Sequence, residues 1–218
     1  MTRGILIAGN ESSLFSALGR EAARRVKSYA AAPVPPWKEG EGRRGKITPP
    51  VLEWNPPSPI SARTLVLAAV NKLEHIDDAI LVCAPPAYRR SAGDLSPAEV
   101  DRLVDFNIKG WFFLVKEIIS LFKARERGSL ALVLSETGAG SAEEVPDLIG
   151  PAASAAFKAL ARGILLSSLN VPYTVTGFSS SEPGGEEAFA AFIFKTLEGE
   201  KKISGKWHKF GKLGLFGR

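Results

Sequence analysis

Residues 96–136 read SPAEVDRLVDFNIKGWFFLVKEIISLFKARERGSLALVLSE. Ser96-Pro97-Ala98-Glu99 is a capping box with proline at the first helical position. Apolar residues then recur at helical spacing, which predicts a long helical region to about Arg127 with Gly110 as a bend. Gly128 ends it. Leu130 to Leu134 (LALVL) is apolar throughout, short, and follows a helix stop. A strand buried on both faces reads this way, and such strands belong to parallel sheets covered by helices.

The same reading extends in both directions. Towards the N-terminus, Asp78 to Ala84 (DAILVCA) is a second buried strand, stopped by Pro85-Pro86. Ser58-Pro59 opens a helix to about His75. Gly4 to Ala8 (GILIA) is a strand, Gly9 a turn, and Ser12 to Val26 a helix; Lys27 to Ala31 is the presumed second strand. Residues 33–59 interrupt the alternation with eight of the 15 prolines and the basic residues Lys38, Arg43, Arg44 and Lys46. They read as an irregular excursion holding one short strand, Val51 to Trp54. Its PVPPWK run suits a packed loop better than a polyproline ligand. Towards the C-terminus come a helix from Pro151 to about Leu169, a strand from Tyr173 to Phe178, a helix from Glu186 to Leu197 and a short strand near Ile203 to Phe210. Strand and helix alternate and most strands are wholly apolar. The expectation is an α/β fold: one domain, 1–218, with a doubly wound, Rossmann-like, mostly parallel sheet and helices on both faces.

Composition narrows the functional classes. Hydrophobic residues make up 45% and charged residues 23%, as in an ordinary globular chain. Cys83 is the single cysteine, so no internal disulfide is possible. The opening MTRGILIAGN has too short an apolar run for a secretory signal. Both points lead to the expectation of a cytoplasmic protein. The apolar stretch Leu148 to Val171 carries Lys158 and Arg162 near its middle, which reads as a buried helix rather than a membrane span. A net charge of +5 permits phosphate-bearing ligands or nucleic acid and demands neither. His75 and His208 are isolated, so no metal site is expected. The C-terminal run KKISGKWHKFGKLGLFGR mixes basic and aromatic residues, and its place as the last strand favours a structural role over nucleic-acid binding.

The block 96–136 resembles the middle of a short-chain dehydrogenase/reductase. There a helix carries Asn followed by Gly and aromatic residues, and the next strand ends in Ser. Asn107 matches the family's structural and proton-relay Asn, and Ser135 its catalytic Ser. ILIAGNESSLF at 5–15 stands where the family has its first strand and glycine loop, and ISGKWHKFG at 203–211 resembles its closing segment. The resemblance covers the chain except 33–50, where a proline-rich loop replaces the second crossover helix.

The departures from the family pattern lie at functional positions. The glycine loop has Ala8, Gly9, Ser13 and Phe15, and Phe15 is bulky where the backbone should approach a pyrophosphate. The resemblance therefore predicts Phe15 in or beside the pyrophosphate space, with Phe15→Gly strengthening any weak binding. The family's Asn-Asn-Ala-Gly aligns with Cys83, Ala84, Pro85 and Pro86, which makes Cys83 a small buried hydrophobe at a strand end. The catalytic Tyr-x-x-x-Lys becomes Ser154-Ala155-Ala156-Phe157-Lys158. A phenol titrates near pH ~10 and can be tuned towards neutrality; an aliphatic hydroxyl is a weaker acid and shorter. The only tyrosines are Tyr29, Tyr88 and Tyr173, of which Tyr88 follows the fourth expected strand, on the carboxyl edge of the sheet, and could face the cleft.

Two functions stay open. One is a binding or structural protein that kept the scaffold and lost hydride transfer. The other is a divergent NADP-dependent oxidoreductase with an unusual proton donor, for which Asn107, Ser135 and Lys158 survive. The resemblance implies no dinucleotide or weak binding, with NADP suited better than NAD because no acid follows the second strand and basic residues do. A small-molecule or nucleotide ligand remains possible. The helices around Trp111–Phe122 and 151–169 are apolar over most of their circumference, and in the family they pair with a second subunit. A homodimer is therefore expected.

Overall fold

The computed structural model describes residues 3–26, 28–34, 50–85, 88–136, 147–182, 184–199 and 204–211. Six strands form one sheet: β1 (Gly4–Asn10), β2 (Ser28–Val34), β3 (Asp78–Cys83), β4 (Ser129–Ser135), β5 (Thr174–Ser180) and β6 (Lys206–Phe210). Their order is β2-β1-β3-β4-β5-β6 and every pairing is parallel. The helices are α1 (Ser13–Arg25), α2 (Pro59–Leu73), α3 (Pro97–Val104), α4 (Gly110–Arg125), α5 (Ile149–Ser167) and α6 (Glu186–Leu197).

Alternate residues of each strand serve opposite faces. Leu6 and Ala8 pack with Leu65 of α2, Trp111 of α4 and Phe157 of α5. Ile5 and Ile7 pack with Leu14 of α1 and Phe189 of α6. The sheet is thus doubly wound as expected, with its order reversing at β1. The crevice for a ligand lies at the carboxyl ends of β1 and β3.

Several boundaries differ from the expectation. β2 runs on to Val34 through Pro33. The expected strand Val51 to Trp54 shrinks to one parallel bridge between Val51 and Ala31, because Leu52 and Trp54 turn inward to fill the core beside α2. Gly110 is not a bend: its backbone is regular helix (φ −55, ψ −41). The change of helical pitch lies just before it, in a π turn at Asp105–Lys109 joining α3 to α4. Gly110 is needed for close approach, since a Cβ there would stand 2.5 Å from the Pro56 Cβ. α5 begins at Ile149, before Pro151, because the Asp147 carboxylate accepts hydrogen bonds from the Ile149 and Gly150 N–H groups at 3.1 and 2.9 Å. By length and composition α5 could cross a membrane, but one of its sides packs onto the sheet. Residues 35–38 of PVPPWK, with Arg43, Arg44, Lys46 and Pro86, lie outside the described residues.

Candidate functional site

The candidate site is the carboxyl edge of the sheet, where β1, β3 and β4 end beside the starts of α1 and α5. At β1, Gly9 has φ +152, and a Cβ would meet the Val82 carbonyl oxygen at 2.1 Å. Glycine here lets β1 lie close against β3. The next residue, Asn10, is buried and its Oδ1 accepts the Ala84 N–H at 3.0 Å, tying the two strand ends across the crevice. Sequence reasoning missed Asn10; its only signal was an amide directly after the glycine.

The start of α1 is capped from within. The Ser12 Oγ accepts the Phe15 N–H at 3.1 Å. The Phe15 ring is 2 % exposed and belongs to the core between the sheet, α1 and α6. At this helical position the apolar side of α1 faces the sheet, and the Phe15 side chain packs there. The Ser13 hydroxyl donates to Glu186 Oε1 at 3.1 Å, so a carboxylate from the start of α6 sits at the start of α1. No spacing rule links residues so far apart in sequence.

At β3, Cys83 is fully buried and burial pushes its thiol well above the ordinary range. Ala84 is half-buried and Pro85 buried. Tyr88 is buried too, with the Arg90 guanidinium 5.8 Å from its ring centre. The next backbone position, Arg89, bridges Asp147 antiparallel, which joins the segment after β3 to the segment before α5.

Ser135 lies on β4, Ser154 and Lys158 on α5, and Asn107 on the π turn that packs against α5. Ser135 ends β4, partly exposed. Asn107 lies buried in the π turn, against which α5 packs. Ser154 and Lys158 are one turn apart on α5. Their interactions diverge, however. The Lys158 ammonium donates to Glu136 Oε1 at 2.6 Å, both groups being about two-thirds buried. Glu136 is held in turn by its N–H bond to the Ser180 carbonyl at 2.8 Å. The Ser154 hydroxyl is buried without a hydrogen-bond partner among the described residues. Glu136 was overlooked in the sequence because its partner is 22 residues away on another element. Among the described residues no cluster of His, Cys, Asp and Glu could hold a metal ion.

No protein-family model and no curated protein matches the sequence. Solved structures do match. They include an NADH-dependent reductase, A1-R', complexed with NAD (16% identity, 95% of this chain and 94% of that one, TM-score 0.71). A serine dehydrogenase from Escherichia coli matches at 13% identity over 95% and 96% of the two chains (TM-score 0.71). A Serratia marcescens short-chain dehydrogenase/reductase variant matches at 13% over 95% of each (TM-score 0.70). Sequence order, parallel topology and near-complete coverage agree: this chain has the short-chain dehydrogenase/reductase fold.

Proposed function

We propose that the chain is a binding or structural protein built on a dehydrogenase scaffold that has lost hydride transfer. The observation that carries this reading is the state of Ser154 and Lys158. The residue at the proton-donor position has a buried aliphatic hydroxyl with no partner, and the lysine one turn on is neutralised by Glu136. A hydroxyl of ordinary acidity, without a cation against it, is a poor proton donor near neutral pH.

The crevice supports the same reading for cofactor binding. A dinucleotide pyrophosphate is ordinarily held by the N-terminus of the first helix. Here Glu186 already places a carboxylate at that helix start. A second anion within a few ångströms costs on the order of 1 kcal/mol or more at the surface, about fivefold in affinity. The residues present therefore fit a dinucleotide poorly. The ligand, on this reading, is a small molecule or nucleotide held in another pose. A cytoplasmic location and self-association through α4 and α5 belong to the same proposal.

The second reading, a divergent NADP-dependent oxidoreductase, is favoured by one observation: Lys158 pairs with Glu136, the residue after Ser135, and its helix packs on the π turn that carries Asn107. Titration of NADPH into the full chain, followed by its fluorescence, separates the two. We expect no saturation at micromolar protein, and a several-fold gain in affinity for Glu186→Gln and Glu136→Gln. Submicromolar binding by the unaltered chain, or oxidation of NADPH by any carbonyl compound above background, overturns the first reading.

A further inference from the structure

The α6-covered face of the sheet changes character at its amino edge, opposite the candidate site. Further along the strands this face is apolar, with Ala131, Val133 and Phe178 in the core. At the starts of β4 and β5 it carries hydroxyls instead. Ser129 stands in register with Thr174, and Thr176 follows two residues on, beside Ala131. In-register residues of parallel strands share a face, as do residues two apart on one strand. α6 ends here at Leu197, and a cleft of about 280 Å³ lies between its last turn, the two strand starts and the turn after α4. Thr196 adds a fourth hydroxyl to the lining from the helix.

The lining decides what this cleft can take. Thr196 Oγ1 donates to the Phe192 carbonyl at 2.8 Å and Thr174 Oγ1 to the Gly128 carbonyl at 3.5 Å, so both oxygens keep lone pairs for a ligand's donors. Among the described residues the charged part of the lining is one acid and one base, the exposed neighbours Glu126 and Arg127. A phosphate here meets Glu126 and the carboxyl ends of α4 and α6, where helix dipoles are negative. An amine meets Arg127. A neutral ligand meets neither penalty. A carboxylate offers two acceptors and a guanidinium a fork of donors, so each can hold two adjacent hydroxyls. Pro172 and Leu197 add apolar surface for a carbon skeleton. The volume equals about nine waters at ~30 Å³ each, which suits a molecule of about ten to twelve non-hydrogen atoms.

We propose that this cleft binds a neutral, polyhydroxylated molecule of monosaccharide size. The hydroxyls of Ser129, Thr174 and Thr196 meet single hydroxyls of the ligand, and Glu126 and Arg127 meet adjacent pairs. Thr176, which is 3 % exposed, forms the floor. The sheet register fixes the strand hydroxyls before any ligand arrives, which lowers the ordering cost of binding. So few polar contacts in an open cleft give weak affinity, in the range of about a millimolar. The site is separate from the carboxyl edge and stands whether or not the chain binds a dinucleotide or transfers hydride.

Amide chemical shifts of the full chain, labelled with nitrogen-15, test this as D-ribose, D-glucose or myo-inositol is added to tens of millimolar. We expect saturable shifts at Gly128, Ser129 and Gly199 with at least one of the three, and none at Asn10, Ala84 or Glu136. Cyclohexanol, which has the ring of myo-inositol with a single hydroxyl, should leave these amides in place. Thr174→Val keeps the side-chain shape and removes the hydroxyl. It should weaken the tightest of the three by about fivefold or more. Arg127→Met and Glu126→Gln, at exposed positions outside the strands, should weaken it similarly with the melting temperature unchanged, so the test survives a poorly folding Thr174 variant. Several results overturn the proposal: no saturation by any of the three, equal shifts with cyclohexanol, or shifts confined to the carboxyl edge. Affinity that all the variants leave unaltered, or tighter binding of inorganic phosphate or putrescine at the same amides, also overturns it.

Discussion

Gly9 and Phe15 are both fixed by packing within the protein. Both stand in the loop that resembles a pyrophosphate cradle, yet the contacts they make are with the protein itself. Gly9 admits the Val82 carbonyl, and Phe15 fills the core under α1. Phe15→Gly is therefore expected to cost about 3–5 kcal/mol of stability, the scale of a large aromatic truncation, rather than to open a binding site. Urea denaturation checks this; unchanged stability with improved NADPH binding would restore the cradle reading. Gly9→Ala forces a Cβ onto a backbone oxygen in a conformation L-residues avoid. We expect it to reduce soluble yield and to lower stability by about 2 kcal/mol or more, read from the same denaturation curves.

Among the elements, β6 has a hold on the sheet that depends on pH through His208. Its Trp207 ring lies over Gly177, where a Cβ would stand 2.2 Å away, and its Nε1 donates to Ser179 Oγ at 3.0 Å. On the other face His208 stacks on Phe178 at 5.5 Å and meets Phe192. Burial, helped by Lys206, pushes the His208 imidazole below its ordinary value. A lowered folded-state value means that the folded chain resists a proton the unfolded chain accepts. The stability His208 contributes is thus present above the ordinary imidazole range, near pH ~6.5, and is lost as pH falls through the folded value. His208→Phe keeps the ring stack without the titration. Its melting temperature is expected to fall less than that of the unaltered chain between pH 7 and 5; parallel curves would refute this. Glu21, on α1, adds a second acid-sensitive contact. Burial pushes its carboxyl up, but Arg25 and Arg24 outweigh burial and hold it below the usual range.

At the scale of the molecule, the outward faces of α4 and α5 are unusual for a monomer's surface. Ala152, Ala155, Ala159 and Gly163 form an exposed stripe of small residues on α5, followed by Leu166, which is 74 % exposed. Phe112 is exposed at the start of α4. Small residues let two helices approach closely, and an isologous contact buries the same stripe twice. Ala155 and Ala159 point away from the sheet, so charge there spares the core. Ala155→Glu with Ala159→Glu should convert a dimer to a monomer in sedimentation velocity at micromolar concentration without a large change in melting temperature. An unaltered chain that sediments as a monomer would sink the assembly proposal.

The fold could be read from the pattern of the chain because it rests on local and repeated signals. Apolar strands such as LALVL and DAILVC, the Ser96–Glu99 capping box and the Ser58-Pro59 helix start each act within a few residues, and their order dictates a parallel, doubly wound sheet. That is why the architecture matches solved structures over 95% of the chain at identities of 13–16%. That Asn107, Ser135, Ser154 and Lys158 match a family's motif positions was legible from short motifs. What those residues do was not, because it depends on partners distant in sequence. Glu136 reaches Lys158 only once β4 and α5 are packed, and Glu186 reaches Ser13 only across the α1–α6 contact. Trp54 joins Trp111 only after the chain returns from the proline-rich excursion. Short-range periodicity encodes elements and their order; the pairing of charges and the satisfaction of buried polar atoms are properties of the assembled core.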